Sequence, residues 1–164
     1  MNNNNLFSKE LGLNLIKSWA DSFKPFNTTN NNEDYDYAVA KFVTKHYLSN
    51  SILLPTMHPV TRTGFDSIYN YFINFIKKKP LVSFSDHALD NIQVSLAQEQ
   101  FGVMSGYYNF LTQGEIINAR YSMQFQCINT ERAVTMNVNS QQISFTQQPG
   151  WYILMQHSSL CPIL

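Results

Sequence analysis

The sequence predicts an α+β fold in which N-terminal helices pack inside a curved, mostly antiparallel sheet. Apolar residues recur at spacings of three and four through the first half, and the period changes to two from Leu81 onward. The short link Thr112-Gln113-Gly114 joins two alternating segments as a hairpin turn. Helices first and strands afterwards suit a sheet wrapped around the helices as a cone, with a pocket inside.

The first helix spans about Leu6 to Phe23, with Leu11, Leu15 and Trp19 on one line and Leu13, Ile16, Ala20 and Phe23 on another. Apolar cover that wide implies contact on more than one side. Pro25 and the asparagine-rich stretch 27–32 end it in a loop. A second helix starts near Asp34 or Asp36, carries the stripe Val39, Phe42, Val43, His46 and Tyr47, and stops before Pro55. The third runs from about Thr63 to Lys78 through Phe65, Ile68, Tyr69, Phe72 and Ile76. Val82 and Phe84, then Ile92, Val94 and Leu96, mark one or two strands. Gln100–Leu111 and Glu115–Ile128 are longer ones, and Ala133–Thr146 forms either a protruding hairpin or part of the main sheet. Trp151–His157 closes the sheet after the turn Pro149-Gly150, with Trp151 expected to be buried at its start.

Composition narrows the function. A chain of 164 residues fits one domain, expected over 6–164 behind a disordered lead-in, Met1-Asn2-Asn3-Asn4-Asn5. Lysine plus arginine balance aspartate plus glutamate at 11 each, so no positive field favours nucleic acid or anionic lipid. Lys77-Lys78-Lys79 ends a helical pattern, where cations complement the helix dipole. Neither a membrane-spanning stretch nor a secretory leader is expected. Cys127 and Cys161 lack metal spacing and read as buried thiols in a reducing, cytoplasmic compartment; a disulfide stays open. No metal site and no cofactor are expected, since histidines and carboxylates do not cluster and no phosphate or dinucleotide fingerprint is present.

The strand around Arg120 is the most informative for chemistry. One face carries Ala119, Tyr121, Met123, Phe125 and Cys127, the other Arg120, Ser122, Gln124 and Gln126. Taken alone, that alternation buries the apolar row on the helices and leaves the polar row wet.

A set of short motifs also carries a resemblance: Leu53-Leu54-Pro55-Thr56, Tyr71-Phe72 followed by Pro80, Gly106 with Tyr108 and Phe110, Ala119-Arg120-Tyr121, and Trp151 with His157-Ser158-Ser159 and Pro162. In order and spacing they resemble the cone-shaped, cystatin-like superfamily of nuclear transport factor 2 and the polyketide cyclases, nearest its calcium/calmodulin-dependent protein kinase II association-domain branch. The stretch Thr130–Gln148 is longer than such proteins usually have. The resemblance implies a homodimer or larger homo-oligomer built through the outer sheet face, and reverses the faces of the Arg120 strand. On it Tyr108, Arg120, Ser122, Gln124, Gln156 and Ser158 line the pocket, while Tyr121, Met123, Phe125 and His157 meet a partner subunit.

Two readings follow. The first is a non-catalytic binding or assembly module, its arginine fork suited to a small carboxylate. The second is a small cofactor-independent isomerase, cyclase or dehydratase, with Tyr108 beside a base from Asp34, Asp36 or Asp66 acting on a hydrophobic carbonyl compound. No catalytic residue is assigned. An internal carboxylate such as Asp34, Asp36 or Glu99 could instead pair with Arg120 and leave it no ligand role. His46 reads as a core residue, and His58 and His87 fall in loops without signal.

Overall fold

A computed structural model of the chain describes residues 6–24, 33–56, 58–138 and 140–161; the expected lead-in and the asparagine-rich loop lie outside them. The elements run α1 (Lys9–Asp21), α2 (Glu33–Thr44), β1 (Tyr47–Leu54), β2 (Arg62–Thr63), α3 (Gly64–Ile76), β3 (Leu81–Ser83) and α4 (Asp86–Asp90). Then follow β4 (Gln93–Gln98), β5 (Phe101–Thr112), β6 (Glu115–Ile128), β7 (Arg132–Val138), β8 (Gln141–Gln147) and β9 (Gly150–Leu160).

The main sheet has the order β2-β1-β9-β6-β5-β3, with β4 also paired to β5. All its pairings are antiparallel except β1 with β9. The β5–β6 hairpin turns through Gln113 and Gly114, both at positive φ (51° and 84°), a geometry that glycine adopts without strain.

The second helix is shorter than its apolar stripe suggests. It ends at Thr44, and Tyr47–Leu54 is strand β1 rather than helix. Ser51 explains how the strand is held. Its buried hydroxyl accepts from the Leu48 N–H (2.7 Å) and donates to the Ile153 carbonyl (2.6 Å) where the β1–β9 register shifts. Backbone groups that the ladder misses are thereby paired.

At the start of α1, Ser8 caps the helix by accepting from the Leu11 N–H at 3.1 Å. Ile16, Trp19 and Ala20 of α1 and Phe23 just after it reach the core, joined by Val39, Ala40 and Val43 of α2 and Ile68, Tyr69 and Phe72 of α3. Against them pack Met104, Tyr108 and Phe110 of β5 and Ala119, Tyr121, Met123 and Phe125 of β6. His46 lies between α2 and β1, partly buried, its Nε2 2.9 Å from the Ser22 hydroxyl. Burial lowers its pKa to about 4, which keeps the ring neutral.

The segment 132–147 forms its own two-stranded sheet, β7-β8, rather than extending the main one. It packs against α3: Phe145 meets Phe65 edge-on at 5.6 Å, and the Asn137 N–H donates to the Asp66 carboxylate at 3.2 Å. Val134, Met136 and Val138 form the buried face of β7. Asp66 thus helps to hold this hairpin.

Candidate functional site

Strand alternation decides what faces the cone. On β6, Tyr121, Met123 and Phe125 are 3%, 0% and 2% exposed and lie on the inner face with Ala119. The interface expected from them is corrected: they are core residues, and Tyr121 stacks on Tyr108 with centroids 5.2 Å apart. Arg120, Ser122 and Gln124 occupy the outer face, so their expected place in the pocket is corrected as well. Arg120 is exposed, and its Nε donates to Ser159 Oγ at 3.0 Å. The physical reason is the one that the bare alternation gives: the apolar row gains most by leaving water.

On β9 the alternation is broken between Ile153 and Met155, where the register with β6 shifts by one residue at Leu154. The bulge lets Ile153, Gln156 and Ser158 all be buried, while His157 stays exposed on the outer face. Tyr108, Gln156 and Ser158 are thus brought together inside the cone.

There they border a cavity of about 380 Å³. Its buried end is formed by Trp19, Tyr108, Gln156 and Ser158, with Thr56 beside them. Aromatic walls follow: Tyr71 stacks on Phe75 (5.8 Å), Phe75 meets Phe110 edge-on (5.4 Å), and Phe110 meets Tyr108 (4.7 Å). The exposed side chains of His58, Asn74, Lys78, Gln113 and Glu115 form the mouth together with half-buried Arg62.

A continuous hydrogen-bond chain organises the buried end. Trp19 Nε1–H donates to the Tyr47 hydroxyl at 3.1 Å, which in turn donates to Gln156 Oε1. The Gln156 amide approaches the Tyr108 hydroxyl, Tyr108 donates to Ser158 Oγ at 2.5 Å, and Ser158 bonds Thr56. Burial pushes the Tyr108 phenol up to about 12, against the opposing pull of its Ser158, Gln156 and Thr56 hydrogen bonds. Burial likewise raises Tyr47 and Tyr71, the Arg62 charge offsetting a little of the latter. These phenols stay protonated at neutral pH. The Tyr121 hydroxyl is buried without a partner among the described residues, in a gap kept open by Gly106, whose added Cβ would come within 2.8 Å of it.

Two mouth residues carry no signal in the sequence. Arg62 sits in a two-residue strand and His58 in a loop, and neither belongs to a periodic pattern. Pairing of β2 with β1, Ile52 opposite Thr63 and Leu53 opposite Arg62, puts the guanidinium at the cavity. Among the described residues no group of histidines, cysteines and carboxylates is placed to hold a metal. No helix among them is long and apolar enough to cross a membrane.

Comparison with known proteins places the fold. No protein-family model and no curated protein matches the chain. Solved structures do. A protein from Xanthomonas campestris described as a candidate calcium/calmodulin dependent protein kinase II association domain aligns at TM-score 0.64 and 22% identity, over 93% of this chain and 87% of its own. A nuclear transport factor 2-like superfamily protein from Salmonella enterica aligns at TM-score 0.61 and 12% identity, covering 94% and 92%. A candidate ketosteroid isomerase from Parabacteroides distasonis aligns at 0.56 and 11%, covering 96% of each. The fold is the nuclear transport factor 2-like cone, α+β, with helices held in a curved, mostly antiparallel sheet. That fold hosts assembly domains and enzymes alike, so function rests on the site.

Proposed function

We propose that the chain is a homo-oligomeric binding module whose cone holds a small molecule with an aromatic or apolar body. The observation that carries this reading is the cavity itself. Its volume suits a small ligand, its walls are aromatic, and its polar groups converge at the buried end. Tyr108 is engaged with Ser158 and Gln156, and no carboxylate or histidine is among its hydrogen-bond partners. Proton abstraction beside Tyr108 would need such a base, and neither Asp36 nor Asp66 is among the residues lining the cavity. The arrangement favours holding a ligand over transforming it.

Assembly is supported by the outer sheet face. Ile52, Met155, Gln124 and Val103 stand in one cross-strand row, and Tyr107 and Ile116 are exposed on the same face at 45% and 68%. Exposed apolar side chains on one sheet face invite a partner, and His157 and Arg120 would lie within the contact. The fold relationship to a candidate association domain points the same way. Light scattering at micromolar concentration is expected to give a dimer or larger species; a clean monomer would remove the assembly half. For the pocket half, calorimetry with phenylacetamide is expected to show saturable binding of one molecule per chain. Heats indistinguishable from dilution would remove it.

A further inference from the structure

At the mouth of the cavity two hydrogen-bond donors converge on one histidine ring. His58 Nδ1 faces the Val60 N–H at 3.2 Å, and His58 Nε2 faces a terminal guanidinium nitrogen of Arg62 at 3.3 Å. Both neighbours can only donate. A neutral imidazole has one accepting nitrogen, so whichever tautomer it takes, one of these contacts sets donor against donor. A doubly protonated ring would face donors on both sides. The conflict ends if an acceptor enters between the ring and the guanidinium. His58 Nδ1 then accepts from Val60, while Nε2–H and Arg62 both donate to the newcomer.

Arg62 has a second mark of incompleteness. Its Nε is buried and has no hydrogen-bond partner among the described residues. Among the described residues the one ion pair is Lys24 with Asp21, so Glu115, which shares the cavity lining, makes no direct ion pair with the guanidinium. A half-buried arginine lacking a carboxylate is costly unless something else supplies the negative charge. Lys78 on the same lining adds to the positive side. Behind the donors, Tyr71 meets His58 edge-on at 6.0 Å and stacks on Phe75, which opens directly onto the aromatic walls.

We infer that the ligand is an aromatic or apolar carboxylate whose anionic head sits between His58 Nε2 and Arg62 at the mouth, with its body against Tyr71 and Phe75. This rests on the cavity being a ligand site and adds the chemical class and the pole at which charge is read. A planar carboxylate matches the guanidinium fork.

The test compares phenylacetate with its neutral counterpart phenylacetamide, by calorimetry on the full chain. Phenylacetate is expected to bind at least tenfold more tightly. That advantage is expected to fall to about twofold or less in Arg62→Met and to shrink severalfold in His58→Phe, which keeps the ring against Tyr71 but removes both nitrogens. Phenylacetamide, whose carbonyl can accept from the same donors but carries no charge, is expected to lose less affinity than phenylacetate in both variants. His58 is exposed in a loop, so His58→Phe remains informative should Arg62→Met fail to fold. Acetate and inorganic phosphate are expected to bind far more weakly than phenylacetate; equal binding of either would show that no body is recognised. Equal affinity for acid and amide overturns the inference and leaves the cavity reading intact. An acid preference that survives both substitutions places the anion elsewhere and overturns the assignment. Binding of neither aromatic probe overturns the cavity reading, and the inference with it.

Discussion

Trp19→Ala is expected to lower stability by about 3–5 kcal/mol, the range for deleting a buried aromatic side chain. The indole is 1% exposed, packs edge-on against Phe23 at 5.1 Å and lies 6.0 Å from Tyr108. Its loss also orphans the Tyr47 end of the hydrogen-bond chain and merges a void with the existing cavity. Because the void opens onto that cavity, water can enter, and the lower half of the range is expected. Chemical denaturation checks it. Trp151→Ala serves as the contrast: Trp151 is half-buried and rests on Phe7 at 5.0 Å, so it should cost clearly less. Equal losses from the two substitutions would contradict this account of the core.

Tyr47→Phe is expected to cost about 2–4 kcal/mol although it deletes a single oxygen. The hydroxyl accepts from Trp19 Nε1–H and donates to Gln156 Oε1, and Tyr47 is fully buried. Removing it strands two buried polar groups, each at about 1–3 kcal/mol. The effect should depend on its partner. In a Trp19→Phe background one of those groups no longer exists, so Tyr47→Phe should cost less there, by about 1 kcal/mol or more. Strict additivity in a double-mutant cycle would show that the chain is not energetically connected.

Much of the fold is legible in the sequence because period and turn chemistry are local. The stripe through Phe65, Ile68, Tyr69 and Phe72 yields α3, and Thr112-Gln113-Gly114 yields the β5–β6 hairpin. Strand β1 is not legible as a strand: Tyr47-Leu48-Ser49-Asn50-Ser51 lacks alternation because it is bulged, and its pairing with β9 spans about a hundred residues. The trouble at β9 is similar, where one extra residue at Leu154 shifts the alternation.

The site is legible in part. Tyr108, Gln156 and Ser158 follow from alternation once those strands are recognised, and all border the cavity. Arg120 shows the opposite error, since reversing its strand's faces on the strength of a resemblance overrode the hydrophobic pattern of Tyr121, Met123 and Phe125, and the pattern prevails. Arg62 and His58 could not be found by any periodicity. Their importance lies in a donor conflict between a loop and a two-residue strand, which exists only in three dimensions.

The central claim is that the cone is a ligand site, and Trp19 reports on it from within. The chain has two tryptophans, and only Trp19 of the pair lines the cavity, so a Trp151→Phe variant leaves a single indole at the buried end. Titrating phenylacetate into that variant while following indole emission is the most direct measurement. The account predicts a saturable change that fits one site per chain and coincides with the calorimetric isotherm. An emission spectrum that stays constant through saturating ligand, in a variant that unfolds cooperatively, would contradict it.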